Sequence, residues 1–273
     1  MKLIILGSGT SNGIPVLGCG CAVCGSLDSK DKRTRASVYV EGLSGEAAVI
    51  DTGPEFRLQA LGAGIKKLDA VFLTHAHADH LHGLDDVRPL NRTTPIPIYC
   101  NHLTIEELKE RFSYVFKTTQ RGGDKPRILP MEISAPVKIG NLNFTPIPVK
   151  HGALDILGWR MDEAENNPAG KDAKTRTAVY ITDASAIPKT SLPLIGRPEI
   201  LIINGLRTRP HETHFNFEQA LHTALEIQAK RVFLTHICHD YSHKQIEDIC
   251  KDFMRERKIN NITMEPAWDG LTL

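Results

Sequence analysis

The sequence predicts a mixed α/β protein in which strands end at side chains that can bind metal ions. Short apolar segments typical of buried strands alternate with segments whose apolar residues recur every three to four positions. Five predicted strands are followed at once by aspartate or histidine, at Asp51, His75, His151, Asp183 and His236. Because the loops at one end of a sheet commonly carry functional residues, this repetition predicts one site assembled from several parts of the chain.

Length and composition fit a globular protein with a sizeable core. The chain has 273 residues, of which 41% are hydrophobic and 24% charged, and this length is at the upper end for one domain. We therefore expect residues 1–273 to form a single domain. The formal net charge of +1 gives no reason to expect a polyanion or a membrane surface as partner. Nucleic acid stays open as a partner but is not favoured.

The sequence shows no membrane or targeting segment. No apolar run reaches the length that spans a bilayer, and the apolar segment 3–6 is too short for the core of a signal peptide. A cytoplasmic location is the default expectation. The six cysteines then favour metal binding or free thiols over disulfides. Cys100, Cys238 and Cys250 are isolated in the sequence, as ordinary buried thiols are.

The densest set of candidate metal ligands follows the predicted strand 70–73. His75, His77, Asp79 and His80 lie within six residues, and histidine and aspartate are frequent metal ligands. The two alternating histidines can face one ion, while Asp79 and His80 can face a second ion beside it. Four ligands exceed what one ion takes from a single loop, so the motif predicts half of a two-metal site.

Two further motifs lie near the N-terminus. The glycine-rich segment 7–13 matches neither G-x-G-x-x-G nor G-x-x-x-x-G-K-[ST], so we expect a tight turn near the site and no nucleotide loop. Cys19, Cys21 and Cys24 can hold one soft ion such as zinc. A structural zinc takes four ligands, so the fourth must come from elsewhere in the chain. A loop of reduced cysteines is the alternative interpretation.

Two predicted hairpins end at candidate site residues. The first joins strands 38–40 and 47–50 and ends at Asp51, which is placed either to hydrogen-bond a metal-ligating histidine or to start a turn. The second joins 137–139 and 142–149 and ends near His151. The other predicted strands are 2–6, 96–100, 177–182, 200–203, 231–234 and 262–264, and the predicted helices are 55–61, 104–116, 217–229 and 242–257. Residues 117–127 and 162–177 are predicted as surface loops, with a lid as the alternative for the first.

The ordered ligands resemble those of the metallo-β-lactamase superfamily, and the resemblance runs along the whole chain. The motif H-x-H-x-D-H at 75–80 is specific, and the later histidines and aspartate complete it. The resemblance implies a four-layer αββα sandwich with two divalent metal ions in the active site. It implies that the first ion is held by His75, His77 and His151, the second by Asp79, His80 and His236, both by a bridging Asp183, and that Asp51 supports a ligand.

Within the superfamily the chain is similar to the phosphodiesterase branch, above all to the accessory phosphodiesterase of the carbon–phosphorus lyase pathway. Segment 7–11, the three-cysteine loop and T-H-x-x-H at 235–239 carry this similarity. It implies a structural zinc whose ligands are Cys19, Cys21, Cys24 and His239. It also implies a histidine before a helix as the general acid, where His214 fits best and His211 is the second choice.

The resemblance therefore implies a metal-dependent phosphodiesterase whose substrate is a small phosphodiester, linear or cyclic. Water activated between two metal ions would attack phosphorus, Asp79 would accept its proton, and His214 would protonate the leaving alkoxide. Imidazole and carboxylate ligands suit manganese, zinc or iron, and the resemblance favours manganese. Candidates to pair with the phosphate are Arg88, Arg207 and Arg209.

Other functions are open at this stage. An endoribonuclease of the transfer-RNA 3′-processing kind shares the ligands, but the sequence shows no long glycine-rich arm for gripping tRNA. A thioester hydrolase of the glyoxalase-pathway kind would want a further helical domain after His236. A non-catalytic metal-binding protein would be expected to have lost a ligand, and none is lost. The sequence does not decide the leaving group, the catalytic metals or whether the protein is a homodimer.

Overall fold

The computed structural model describes residues 1–90, 94–117, 125–164 and 175–273. Its strands are β1 (Lys2–Gly7), β2 (Ser37–Glu41), β3 (Ala47–Ile50), β4 (Ala70–Phe72), β5 (Ile96–Cys100), β6 (Ile128–Glu132), β7 (Val137–Ile139), β8 (Leu142–His151), β9 (Leu154–Ala164), β10 (Thr175–Ile181), β11 (Ile200–Asn204), β12 (Arg231–Thr235) and β13 (Thr263–Pro266). Its helices are α1 (Phe56–Gly62), α2 (Ala78–Leu81), α3 (His102–Arg111), α4 (Ser113–Phe116), α5 (Leu192–Ile195), α6 (Phe217–Ile227) and α7 (His243–Glu256).

The strands form two sheets. The first has the order β1-β2-β3-β4-β5-β6, and the second has the order β13-β12-β11-β10-β9-β8-β7. In the first sheet β3 to β6 are parallel, and in the second β10 to β13 are parallel. The carboxyl ends of parallel strands lie at one edge of a sheet, so the loops that follow β3 and β4, and those that follow β10 and β12, are brought together.

The two sheets pack face to face, and helices cover their outer faces. Along β4, Ala70 and Phe72 enter the core between the sheets, whereas Val71 enters the core under the first helical layer. This alternation follows from the two-residue repeat of a strand. The first sheet is covered by α1 and α3 and the second by α6 and α7, whose buried residues belong to the two outer cores. The expected four-layer αββα sandwich is confirmed.

Several details differ from the sequence-based expectation. Strands β6 and β9 were not predicted. In β9, Gly158 and the ion pair of Arg160 with Asp162 interrupt the alternation of apolar and polar residues that indicates a strand. A Cβ atom on Gly158 would lie 2.9 Å from Cγ1 of Ile181, so the strand tolerates no larger residue there. The single helix predicted over 104–116 is wrong, since Phe112 separates α3 from α4.

The two predicted surface loops are only partly described by the structure. The ends of segment 162–177 belong to β9 and β10, so the prediction of a loop over its whole length is wrong. Residues 165–174 of that segment, and residues 118–124 of the predicted loop 117–127, lie outside the described residues. Within the described part of the chain, no helix is both long enough and apolar enough to cross a bilayer.

Candidate metal centre

Three histidines from two strand ends form the first group of candidate ligands. His75 and His77 follow β4, and His151 is the last residue of β8. One nitrogen of each lies within 4.8 Å of a nitrogen of the others. His75 and His151 are buried and His77 is exposed, so the group opens to solvent on the His77 side.

A second group lies beside the first, and all of its members are buried. It comprises Asp79 and His80 on α2, Asp183 after β10, and His236 after β12. Nε2 of His80 lies 3.1 Å from a carboxylate oxygen of Asp79 and 3.1 Å from one of Asp183. Nε2 of His236 lies 3.1 Å from the other oxygen of Asp183. The groups predicted to hold two separate ions are thus adjacent in the structure.

Left-handed backbone at three strand ends turns the site residues into this cleft. Asp51, Asp183 and His236 have φ angles of 64°, 58° and 56°, which non-glycine residues adopt infrequently. Backbone in this region costs free energy, and such residues concentrate at functional sites where the surrounding contacts enforce them. Asn204 enforces one of them, because its side-chain amide bonds both the N–H and the carbonyl of Ala184, at 2.8 and 3.0 Å.

Asp51 fixes the orientation of two histidines. Nδ1 of His80 lies 2.7 Å from Oδ2 of Asp51. The Thr74 hydroxyl donates to Oδ2 of Asp51 at 2.9 Å and accepts from Nδ1 of His75 at 2.9 Å, while the Thr74 backbone N–H donates to Oδ1 at 2.8 Å. Nδ1 of His80 donates to Asp51 and Nδ1 of His75 donates to the Thr74 hydroxyl. The neutral forms of both histidines would therefore present the Nε2 lone pair to the cleft.

The same arrangement orients His151. Its Nδ1 lies 2.8 Å from the backbone carbonyl oxygen of Thr213, to which it must donate, so its Nε2 faces the site. Sequence reasoning missed Thr74, Thr213 and Asn204. Thr74 has a sequence signal, because it lies between the apolar strand and the first histidine. The Thr213 carbonyl has none, since any residue carries one.

The buried carboxylates of the second group favour positive charge among them. Burial opposes a charged His80, but Asp183, Asp79 and Asp51 outweigh it and raise the pKa of His80 well above its usual value. Burial would raise the pKa of Asp183, yet His236 and His80 hold that pKa well below its usual range. Nε2 of His80 and Nε2 of His236 lie close to these carboxylates, but neither makes a hydrogen bond of normal geometry among the described residues. Nitrogen and carboxylate oxygen atoms around one buried point, with positive charge favoured there, fit a divalent ion.

Of the two candidate general acids, His214 lies next to both groups of candidate ligands, whereas His211 lies farther out. The His214 ring centroid is 4.8 Å from those of His151 and His236, and its Nδ1 is 3.7 Å from Oδ1 of Asp183. The exposed His211 ring is 5.0 Å from that of His214. Burial and His236 lower the pKa of His214 to about 3, so the free protein holds it neutral at pH 7.

The three cysteines meet the histidine that the resemblance implies. The Sγ atoms of Cys19, Cys21 and Cys24 lie 3.4, 3.5 and 3.4 Å from Nδ1 of His239. Zinc–sulfur and zinc–nitrogen bonds of about 2.3 and 2.0 Å at tetrahedral angles place sulfur about 3.5 Å from nitrogen. The backbone N–H of Cys24 helps to lower the pKa of Cys21 to about 6, against the effect of burial. The four side chains therefore fit a tetrahedral zinc.

A buried arginine joins this cluster to the His236 loop. Arg33 donates to the carbonyl of Cys238 at 2.8 Å and to that of Tyr241 at 3.1 Å, on either side of His239. Its charge is balanced by Asp31 at 3.2 Å, whose Oδ1 also accepts from the His243 backbone N–H at 2.6 Å. The N-terminal loop and the loop that carries His236 are thus held together independently of any zinc.

The three arginines proposed to meet phosphate differ in their partners. Arg88 is paired with Asp85 at 2.8 Å and Arg209 with Asp240 at 2.8 Å. The side chain of Arg207 has no hydrogen bond or ion pair within the described ranges, although its Nε is buried. Arg207 contributes to lowering the pKa of His211, so its charge lies near that exposed histidine.

Comparison with known proteins agrees with this architecture. Residues 48–237 match the family described as a beta-lactamase superfamily domain, and this range contains both groups of candidate ligands. The chain is 36% identical over 241 residues to a protein of Porphyromonas gingivalis named octanoyltransferase, covering 88% of this chain and 46% of that protein. The chain spans about half the length of the curated relatives it matches.

Two solved structures superpose on the full length of this chain. A diphosphatase from the PhnP family superposes with a TM-score of 0.83 at 36% identity, over 100% of this chain and 96% of that one. Zinc-bound PqqB from Methylobacterium extorquens superposes with a TM-score of 0.75 at 18% identity, over 100% and 99% of the two chains. The second similarity is evidence of a shared fold alone.

Proposed function

The chain belongs to the metallo-β-lactamase superfamily of metal-dependent hydrolases, and from that premise we propose that it is a phosphodiesterase acting on a small phosphodiester, linear or cyclic. The observation that carries the proposal is the position of Asp183. Its two oxygens contact His80 and His236 of the second group. The same carboxylate lies within 4.8 Å of ring nitrogens of His151 and His214. One carboxylate therefore lies between the two ligand groups, as a bridging ligand must.

The proposed ligands follow from this geometry. Nε2 atoms of the three histidines in the first group would hold one ion, and Asp79, His80 and His236 would hold the other, with Asp183 shared. Two such ions supply a water of lowered pKa and positive charge for the oxygens of a phosphate. The ligand types suit manganese, zinc or iron, and we propose two divalent ions of this class.

Two side chains are proposed to move protons. Asp79 lies next to the shared carboxylate, and His80 and His236 hold its pKa below the usual range against the effect of burial, so it stays ionised. Because this makes Asp79 a weak base, we propose it as the proton acceptor only for a water whose own pKa the metal ions would lower. His214 is proposed as the donor to the leaving oxygen. Because its pKa in the free protein is about 3, it becomes a donor only when a bound phosphate anion raises that pKa.

Arg207 is proposed to bind a non-bridging oxygen of the substrate. A buried Nε without a partner is costly to leave unpaired, and an anion next to it would satisfy this donor. Arg88 and Arg209 are less suitable, because each is already paired with an aspartate. Cys19, Cys21, Cys24 and His239 are proposed to hold a structural zinc.

We also propose that residues 1–273 act as one domain in the cytoplasm. The core between the sheets contains Met1 and Leu3 as well as Ala267 and Leu271, so the first and last segments share the same packing. This common core supports a single domain. Neither a homodimer nor a nucleic-acid partner has support from the contacts described above.

A panel of substrates on metal-reconstituted protein tests the function. Hydrolysis of bis(p-nitrophenyl) phosphate, with little action on p-nitrophenyl phosphate, a thioester, a β-lactam or a tRNA precursor, is the expected result. Preference for the tRNA precursor would favour the endoribonuclease alternative. Hydrolysis of an acyl thioester alone would favour an acyl substrate, and no turnover of any substrate would favour a metal-binding protein.

A further inference from the structure

A cavity of about 320 Å³ adjoins the exposed side of the first ligand group. His75 and His77 form one wall, while α3 and the beginning of β9 form the others. Its apolar lining consists of Ala76, Leu103, Leu154 and Ile156. Engineered cavities of about 150 Å³ with apolar walls already accept benzene, so this cavity has room for a substituted aromatic ring.

The walls are tied to each other, so the cavity is a fixed feature of the fold. Asn101, at the N-terminus of α3, accepts from the backbone N–H of Thr104 at 2.9 Å and donates to the Asp155 carbonyl on β9 at 3.0 Å. One side chain thus connects the helix wall to the strand wall. A preformed cavity binds a group without the entropic cost of ordering loops.

The charges around the cavity disfavour an anion. Arg111 is the only lysine or arginine among the described lining residues, and it donates to one oxygen of Glu107 at 2.8 and 3.0 Å. Glu106 adds a second carboxylate to the lining, while the charge of a third, Asp155, is balanced by Lys150 at 2.7 Å. A second phosphate would meet repulsion there with no free lysine or arginine to offset it, whereas an uncharged group would not.

The cavity is placed to hold the ester group that stays on phosphorus. Its lining includes His75 and His77 but neither His151 nor His214. The proton donor proposed above, His214, lies beside His151 and His236, so the departing oxygen belongs on that side. In an in-line displacement the attacking water lies opposite the departing oxygen, so the retained ester group is one of the three oxygens between them. The retained group can then point away from His214 and extend toward His77.

We propose that this cavity is a specificity pocket for the retained ester group of the substrate, and that it selects an uncharged group with an apolar face, about the size of one aromatic ring. The inference rests on the proposed phosphodiesterase function. Each half of the substrate then meets a different surface, with Arg207 and His214 on the departing side and apolar side chains on the retained side.

Three diesters with the same p-nitrophenolate leaving group separate the pocket from the chemistry. Their retained groups are phenyl, methyl and p-carboxyphenyl. We expect kcat/KM for the phenyl diester to exceed that for the methyl diester about tenfold, through a lower KM, because the ring transfers roughly 60 Å² of apolar surface from water. The p-carboxyphenyl diester should lose this advantage.

The double variant Leu103→Asp/Leu154→Asp tests the pocket lining. Both leucines are partly exposed, at 56% and 44%, so the substitutions should not unfold the protein. In the variant, the ratio of kcat/KM for the phenyl diester to kcat/KM for the methyl diester should fall to about one. Leu58→Asp, at a leucine that is 62% exposed on α1, is the matched control and should retain the preference. Circular dichroism and melting temperature confirm the fold of each variant.

The outcomes distinguish the two proposals. If wild type hydrolyses none of the three diesters, the phosphodiesterase function is wrong. Hydrolysis of all three at equal kcat/KM, or a preference for p-carboxyphenyl, overturns the pocket and leaves the function intact. Retention of the phenyl preference by the double variant would also overturn it, as would its loss in Leu58→Asp.

Discussion

Nδ1 of His80 lies 2.7 Å from a carboxylate oxygen of Asp51, and both side chains are completely buried. Asp51 contacts no other candidate ligand directly, but through Thr74 it also orients His75. One carboxylate therefore controls one histidine in each of the two ligand groups. Its effect on metal binding should exceed that of an ordinary surface aspartate.

Replacing Asp51 with asparagine should weaken metal binding without removing a ligand. In one orientation the amide would present an N–H to Nδ1 of His80, and in the other it would lose its bond to the Thr74 backbone N–H. Either orientation therefore breaks one hydrogen bond of the network. We expect the affinity for the catalytic metals to fall about 10- to 100-fold. Competition with a chelator measures it, and Asp69→Asn, at a more exposed aspartate that accepts from Ala47 and Lys67, is the control. Equal affinity in the two variants would contradict the role of Asp51.

Removal of Asp183 should abolish metal-dependent hydrolysis. The Asp183→Ala change removes the carboxylate oxygen near His80 and the one near His236, and leaves both histidines facing a cavity. We expect no detectable turnover of a chromogenic phosphodiester, and elemental analysis should show fewer divalent ions per chain. Chelation of wild type should give the same loss, reversed by added metal. Asp248→Ala, on the exposed face of α7, should behave like wild type. Turnover that persists in Asp183→Ala would rule out the dinuclear mechanism.

His214→Ala should affect substrates according to their leaving group. A p-nitrophenolate departs without a proton, so we expect less than about a tenfold loss, whereas an alkoxide needs one and should lose about 10²- to 10⁴-fold. Rates with an aryl and an alkyl diester measure the difference, with His211→Ala as the control because that ring lies farther out. Equal losses for both substrates would show that His214 acts only in binding.

The candidate ligands could be predicted from the sequence because they lie at strand ends or in the short H-x-H-x-D-H segment that follows one. The fourth partner of the cysteines could not be derived from spacing, since His239 meets Cys19 only through folding, and the family resemblance supplied it. Spacing before the helix favoured His214 and left His211 as the second choice, because both precede α6 and only tertiary packing brings one ring to Asp183. The apolar pocket could not be predicted, because β9 forms one of its walls and the glycine and charged residues of β9 kept that strand from being predicted.

Loss of the proposed structural zinc should destabilise the protein more than it affects the chemistry. His239→Ala removes the nitrogen that lies near all three thiols, so we expect one zinc fewer per chain. A loss of about 2 kcal/mol would lower the melting temperature by roughly 4–8 °C for a chain of this size. His222→Ala, at an exposed histidine on α6, should change neither quantity. Because Arg33 still joins the two loops, kcat should fall less than about tenfold. An unchanged zinc content in His239→Ala would remove the zinc assignment.

Arg207→Ala should raise KM for a phosphodiester, because its guanidinium has no partner among the described residues to release and would be free to bind the anion. A hydrogen bond to a charged group contributes about 1.5–3 kcal/mol, which corresponds to roughly a 10- to 100-fold change in KM. Arg209→Ala is the matched control two residues away, since Arg209 is already paired with Asp240. Binding of inorganic phosphate, measured by calorimetry, should weaken in the first variant alone. If both variants bound phosphate like wild type, the substrate anion would have to be neutralised by the metal ions only, and Arg207 would have no part in recognition.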